Sequence, residues 1–439
     1  MASFVALKSS APRLPPDIIR LILRFFSHDK KALLTYALVS QDWLFESRPL
    51  LFRYVKILSQ ASSHNFISTV LHSDRLRPWL TSIHHLSFCF TDPTAAEPFI
   101  LHISEHLSNL LTIRWDSVGL PNLNTPWRPL RPEVFPAFAK FTRLHHLEIH
   151  NCLFASFEDF KKFIVALPSL SSLILVQLGW LDSPDPDESS LVLPSAHIWP
   201  ATLSKLSLSA YLSRSWERID DVLTWLSTAP TPHLLREFSF DSCNIIAASR
   251  LMAHTSLTAV NIQLRGHKIL GDDSSAKVAQ MRSLLSQVVH IDVLKVIMLN
   301  EYEWDTTIRI LSLFRSAPSV HRVRLCLRTG HILSNDRFRL YLDNVPANKL
   351  QTALLASPAD AKCNAFHALR IVEFAWYMDT DSSKTLQYQY GLLSTWAAAA
   401  LASLHEQCTV EMYAYSHKSV CGPTGLSAHA GGPDFPLAR

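Results

Sequence analysis

The residues whose types and spacing could do chemistry are few. His102-Ile103-Ser104-Glu105-His106 has H-x-x-E-H spacing. On a helix this sets two imidazoles one turn apart with a carboxylate beside them, the geometry a catalytic zinc needs. Phe99, Ile103, Leu107 and Leu110 form an apolar stripe through the same stretch, so it also reads as the outer layer of a packed array. His84-His85 and His145-His146 recur at matching points of two strand-like segments and read as solvent-facing strand starts. A nucleophile elbow, a P-loop and a dinucleotide-binding glycine motif are all missing. Ten glycines in 439 residues are few against the usual ~7%, and phosphate-cradling loops depend on glycine. Covalent chemistry by this chain is therefore not expected, and no cofactor or metal site is assigned.

The elements that would position these residues are strands. A pattern apolar-x-x-apolar-x-apolar returns along the chain. It appears as Ile83-Leu86-Phe88, Leu110-Ile113-Trp115, Leu144-Leu147-Ile149, Leu170-Leu173-Leu175 and Leu203-Leu206-Leu208. It continues as Leu235-Phe238-Phe240, Leu257-Val260-Ile262, Val293-Val296-Met298, Val320-Val323-Leu325 and Leu369-Val372-Phe374. Each unit predicts a short strand with one face buried. Helical stripes lie between them, such as Phe157, Phe160, Ile164, Val165 and Leu167, or Trp304, Ile308, Leu311 and Phe314. A strand–helix pair repeating about every 30 residues must stack on its neighbours to bury its core.

The clearest units, Leu144 to Cys152 and Leu235 to Cys243, resemble leucine-rich repeats. That resemblance gives Cys152 and Cys243 a structural role under the turn after the strand. It also places the residues between the apolar positions on an open face. These are Arg114, Asp116, Glu148, His150, Lys205, Glu237, Asp241, Lys295, Arg322, Arg324 and Glu373. Their mixed charge suits recognition of a protein segment. The target-binding candidates among them are Arg114, Glu148, His150, Lys295, Arg322, Arg324 and Glu373.

Ahead of the repeats, residues 12–55 predict three short helices. Pro15-Pro16-Asp17 is a helix start, with proline in the first turn and an acid at the positive end of the dipole. Ile18, Ile19, Ile22, Leu23 and Phe26 follow as an apolar stripe. Asp29 can cap a second helix with Leu33, Leu34, Ala37 and Leu38 as its buried face. Ser40 can cap a third, with Trp43 and Leu44 turned inward.

The ordered set Leu14-Pro15, Asp17, Ile18 through Leu23, Leu38-Val39-Ser40, Trp43 and Leu51-Phe52 resembles an F-box. Gln41 stands where that family often has Arg or Lys. The resemblance covers about a tenth of the chain. It implies docking to an Skp-type adaptor through Leu14, Pro15, Ile18, Ile22, Leu38, Val39 and Trp43, and through that adaptor to a cullin and a RING subunit.

The expected fold is α/β. An N-terminal three-helix F-box (12–55) is followed by a helical linker (56–82), an irregular leucine-rich-repeat solenoid (83–415) and a disordered tail (416–439). The expected function is substrate recognition in an SCF-type ubiquitin ligase. The alternatives are a leucine-rich scaffold that recruits no cullin and, from another class, a zinc-dependent hydrolase at His102 and His106. A formal charge of +4 does not imply nucleic acid as a partner. Seven dispersed cysteines without C-x-x-C, and a first stretch unlike a signal peptide, point to reduced thiols in cytosol or nucleus. No membrane span is expected, because the longest apolar run, Leu392 to Leu404, is too short.

Overall fold

A computed structural model describes residues 14–27, 29–90, 93–117, 129–176, 178–180, 202–209, 216–228, 235–241, 251, 259–265, 279, 290–298, 304–313, 319–329, 335–355, 368–378, 383–415, 420–422 and 425–427. The chain is mixed α/β and divides into two compact units, Met1–Thr202 and Leu203–Arg439. Cys243, Leu257, Phe314 and residues 181–201 lie outside the described residues.

The first unit opens with three helices: α1 (Pro16–Phe25), α2 (Lys30–Ala37) and α3 (Gln41–Arg53). Local chemistry sets their ends. Proline begins α1, the Asp29 carboxylate accepts from Ala32 N at 3.0 Å, and Ser40 Oγ accepts from Trp43 N at 3.4 Å. Ile19, Leu23 and Leu33 form the centre, with Phe26, Tyr36, Trp43, Leu50 and Leu51 packed around them. The Tyr36 ring bridges Phe26 at 5.1 Å and Trp43 at 5.3 Å between centroids. Arg20 on α1 grips Glu46 on α3 with two bonds of 2.9 Å.

The buried face of α2 is narrower than its sequence predicts. Leu33 and Ala37 are buried, but Leu34 is 57% exposed and Leu38 is 87% exposed. Residues 33 and 37 share a face at i and i+4, whereas 34 and 38 lie about 100° further round the helix. The helix is packed on one side only, so that second pair faces outward.

The expected boundary at residue 55 falls inside a strand. β1 (Tyr54–Ile57) leaves α3 without a linker and pairs with β2 (His85–Phe90). Its alternation, with Val55 and Ile57 buried and Tyr54 and Lys56 exposed, is the reason. Residues 60–71 of the expected linker are helical, as α4 (Gln60–Phe66) and a following π turn. Ser59 and Ser62 form a reciprocal capping box at the start of α4.

Next come α5 (Glu97–Ile103), β3 (Thr112–Ser117), α6 (Phe135–Phe138), β4 (His146–His150), β5 (Leu153–Phe154), α7 (Phe157–Val165), β6 (Ser172–Val176) and β7 (Gly179–Trp180). Strands β1, β2, β3, β4 and β6 run parallel in chain order, and β5 pairs with β7 beside them. One contact repeats at each strand entry. The carbonyl of His84 accepts from the N–H groups of Leu111 and Thr112, that of Leu111 from His145 and His146, and that of His145 from Ser171 and Ser172.

Apolar triads line the inner face, where Phe88, Trp115, Phe138 and Phe163 make a continuous chain of ring contacts, the closest an edge-to-face pair at 4.7 Å. Asn151 closes β4 in the left-handed region (φ 55°), which asparagine tolerates. The adjacent Cys152 is buried and its thiol donates to His150 O at 3.4 Å.

The second unit repeats the plan. Strands β8 (Lys205–Ser209), β9 (Glu237–Asp241), β10 (Ala259–Arg265), β11 (His290–Met298), β12 (Ser319–Thr329), β13 (Ile371–Met378) and β14 (Thr409–Tyr415) are parallel and in chain order. Helices lie between them: α8 (Trp216–Thr228), α9 (Trp304–Leu313), α10 (Asn335–Asp343), α11 (Ala347–Leu354) and α12 (Ser383–Ala400).

Two expectations change here. Val296 and Met298 of the expected β11 triad are buried, but Val293 is not, and Ile291 and Leu294 complete the buried face. Leu294 pairs with Val323 and Ile262, and Val293 pairs with Arg322 and Asn261 on the outer face. In the expected tail, β15 (Val420–Gly422) and β16 (Gly425–Ser427) turn back antiparallel on β14. Backbone pairing with an otherwise exposed strand edge gives that segment order that its composition does not suggest.

Candidate functional site

Two surfaces stand out, and both come from patterns already described. The first lies on the three helices. Most of the exposed large apolar side chains among the described residues belong to this module: Leu14, Ile18, Leu21, Phe25, Leu34, Leu38, Val39 and Phe45. Of the predicted docking residues, Leu14, Pro15, Ile18, Leu38 and Val39 are exposed, and Ile22 is half-buried. Trp43 is half-buried and stacks on Tyr36, so it also supports the module's own core.

The sequence reading missed Leu21, Phe25, Leu34 and Phe45. A signal for part of this set was present. Helix α1 and its C-cap carry apolar residues at 18, 19, 21, 22, 23, 25 and 26, too many for one buried stripe. Ile19 and Leu23 serve the core, and Ile18, Leu21 and Phe25 form a second stripe that the module leaves in water. Phe45 is partly engaged within the first unit, edge-on to Trp79 at 5.6 Å.

The second surface is the outer face of the strands. In the first unit, Lys56, Ser87, Arg114, Glu148 and Ile174 form one rank across the sheet, and Cys89, Asp116, His150 and Val176 form the next. Glu148 is the centre of a small ionic cluster. His146 Nε2 lies 3.0 Å from it, His150 Nε2 3.7 Å and Arg114 Nε 3.6 Å. Arg114 also reaches Asp116 at 3.6 Å. Burial pushes the Glu148 carboxyl upward, but the hydrogen bond from His146, the nearby His150 ring and the Arg114 charge outweigh it and hold the group well below the usual carboxylate range. His150 is itself buried, so of the three predicted candidates here Arg114 and Glu148 are the more accessible.

In the second unit, Lys205 pairs with Glu237 at 2.9 Å. Further along, Gln263, Lys295, Arg324, Glu373 and Glu411 form one rank, and Arg322 lies one step back on β12. Arg324 Nε is 2.6 Å from Glu373 and Arg322 Nη1 is 3.3 Å from it. The structure thus gathers Lys295, Arg322, Arg324 and Glu373 as one group, and Arg114, Glu148 and His150 as another. The side chain of Asp241 lies outside the described residues.

The H-x-x-E-H stretch does not keep a single helical face. α5 ends at Ile103, and Ser104–His106 turns as a 3₁₀ segment. His102 Nδ1 sits 2.6 Å from Pro98 O, and Glu105 accepts from Lys140 Nζ at 2.7 Å. That bond and the lysine's charge lower the Glu105 pKa. Among the described residues no three metal-ligating side chains come together. The paired histidines are separated too. His85 and His146 lie on β2 and β4, with Thr112 of β3 between them. His84 and His145 rest on the carbonyls of Ser82 and Ser169.

No family model matches this chain, and neither does any curated protein. Among solved structures it is similar to the complex of Rad7 and Elc1 from yeast, with 13% identity and a TM-score of 0.36. That similarity covers 83% of this chain and 94% of the other.

Proposed function

We propose that the chain is the substrate-recognition subunit of an SCF-type E3 ubiquitin ligase. The three helices act as an F-box that docks an Skp-type adaptor, and the strands form an irregular leucine-rich solenoid that holds a target protein. The observation that carries this reading is the exposure of Leu14, Ile18, Leu38 and Val39 on a module whose core is otherwise closed. These residues are part of the ordered F-box-like set. An apolar patch of this kind is unfavourable in water unless a partner covers it. The charged outer face of the sheet supports the second half of the reading, since mixed charge favours specificity in protein recognition.

In this reading the chain performs no covalent step. It brings a target close to a catalyst supplied by the cullin–RING assembly, in cytosol or nucleus. The test is co-expression with an Skp-type adaptor. Wild type co-purifies with it, and a Leu38→Glu/Val39→Glu variant does not, while keeping its thermal midpoint. Adaptor binding retained by the variant would remove the assigned docking surface, and failure of the wild type to co-purify would remove the F-box assignment. Ubiquitin transfer in a reconstituted ligase then separates a receptor from a scaffold that binds the adaptor and recruits no cullin.

A further inference from the structure

The sheet ends at β1. That strand pairs with β2 on one side, and among the described residues no strand lies on its other side. In a parallel pair, alternate residues turn both backbone groups toward the neighbouring strand. Arg53 O accepts from His84 N, and Tyr54 and Lys56 stand in register with His85 and Ser87. Residues 53, 55 and 57 therefore serve the pairing, and Tyr54 and Lys56 turn their backbone groups outward. Bonds to side chains close this edge at both ends. Tyr54 O accepts from Lys30 Nζ at 2.9 Å, and Leu58 N donates to Ser62 Oγ at 3.1 Å. Between them, the N–H and C=O of Lys56 have no protein partner among the described residues.

The side chains around this point are open as well. Arg53 and Lys56 are exposed, and neither side chain makes an ion pair or a hydrogen bond among the described residues. Tyr54 and Leu58, two positions to either side of Lys56, are 45% and 59% exposed. An uncovered edge of this kind is a template for a further strand.

We infer that β1 is a docking edge for an extended segment of a partner protein, which lies antiparallel to β1 with a carboxylate opposite Lys56 and apolar residues two positions to either side. Each part of that pattern has a source. In an antiparallel pair, one residue can exchange both backbone bonds with the residue opposite, which fits an edge whose open groups belong to a single residue. Side chains on one face of a strand recur at every second position, so an acid against Lys56 sets its apolar neighbours against Tyr54 and Leu58. Arg53 and Lys56 are unpaired cations, and residues 53–58 contain no carboxylate. Opposite charges directly across two strands are favourable and like charges are not. Added-strand binding draws affinity from main-chain bonds and specificity from alternate side chains. The inference does not depend on the ligase reading, whose docking residues lie on the helices.

The experiment is fluorescence anisotropy on the purified full chain with a fluorescein-labelled Ser-Val-Thr-Glu-Thr-Val-Ser peptide. Two control peptides replace Glu by Lys or carry an N-methyl group on the Glu nitrogen. The parent peptide binds, the controls do not, and hydrogen exchange at residues 54–58 slows in the complex. Lys56→Ala removes the charge and weakens binding up to about fivefold. Lys56→Pro also removes the outward N–H and weakens binding by a further factor of about two to ten. Proline is tolerated on an edge strand where its nitrogen faces solvent, and Val55 before it is already extended. Thermal melting identifies any variant that fails to fold.

Equal affinity of folded Lys56→Pro and Lys56→Ala proteins would overturn the added strand, since only the N–H separates them. So would parent-strength binding of either control peptide, or no binding of the parent. A chain that dimerises, and that Lys56→Pro returns to the monomer, would give the edge to a second copy and overturn the acidic partner. Failure here with adaptor co-purification intact removes the docking edge and leaves the ligase reading standing.

Discussion

Within the first unit, the three helices and the sheet use apolar residues in opposite ways. The sheet closes them off. Phe88, Trp115, Phe138, Leu147 and Leu173 are wholly buried, and its outer face carries Lys56, Arg114, Glu148 and His146. The helices build a minimal core from Ile19, Leu23 and Leu33 and leave as many apolar residues outside as inside. A protein that only had to be stable would not distribute its residues so unevenly. The contrast leaves an apolar surface at the helices and a polar one at the sheet, the two surfaces on which the proposed function rests.

The largest test of this contrast is in the sheet. Phe138→Ala removes a ring that touches Trp115, Phe141 and Phe163 and is expected to cost about 3–5 kcal/mol in urea unfolding. A cost below 1 kcal/mol would mean the ring stack is not the core described. Next come two neighbours on α2. Leu33→Ala should destabilise by about 2–5 kcal/mol, while Leu34→Ala, one residue on, should stay within about 0.5 kcal/mol. Equal losses at the two positions would contradict the narrow buried face of that helix.

Glu148 supplies a pH test for the sheet's polar face. Its folded pKa is depressed, so its contribution is present above the unfolded carboxylate range and is lost as pH falls through the folded value. Glu148→Gln should therefore flatten the acid limb of stability against pH, and leave little pH-dependent difference from wild type near neutrality. An unchanged acid limb, followed by thermal melts, would separate Glu148 from His146, His150 and Arg114.

The smallest effect on stability should come from the most exposed large apolar residue among those described. Leu38→Ala is expected to shift the unfolding midpoint negligibly, yet to weaken adaptor co-purification at least about tenfold. A destabilised Leu38→Ala would mean that the residue is packed within the module.

Much of the fold was legible in short-range spacing. The apolar triads at 83, 110, 144, 170, 203, 235 and 320 are buried as expected, because alternation along a strand needs only local information. The caps at Asp29 and Ser40 were legible for the same reason. Val293 was not. The strand His290–Met298 is apolar at 291, 293, 294, 296, 297 and 298, so more than one phase satisfies the pattern. Only pairing with β10 and β12 turns Val293 outward and selects Ile291 and Leu294, with Val296 and Met298, for the core. Leu34 and Leu38 show the same limit on a helix: their apolarity was readable, but their side was not.

The candidate site divides in the same way. Spacing alone was enough to name Arg322, Arg324 and Glu373 as outer-face residues, since a period of two assigns faces without knowing neighbours. What the tertiary structure decided is that they meet. Residues 295, 324 and 373 are far apart in the chain and come together only because parallel strands stack in register. It also decided that Glu373 lies beneath two arginines while Glu148 sits among histidines. Burial and cross-strand contact are properties of packed neighbours, and no local pattern in the sequence encodes them.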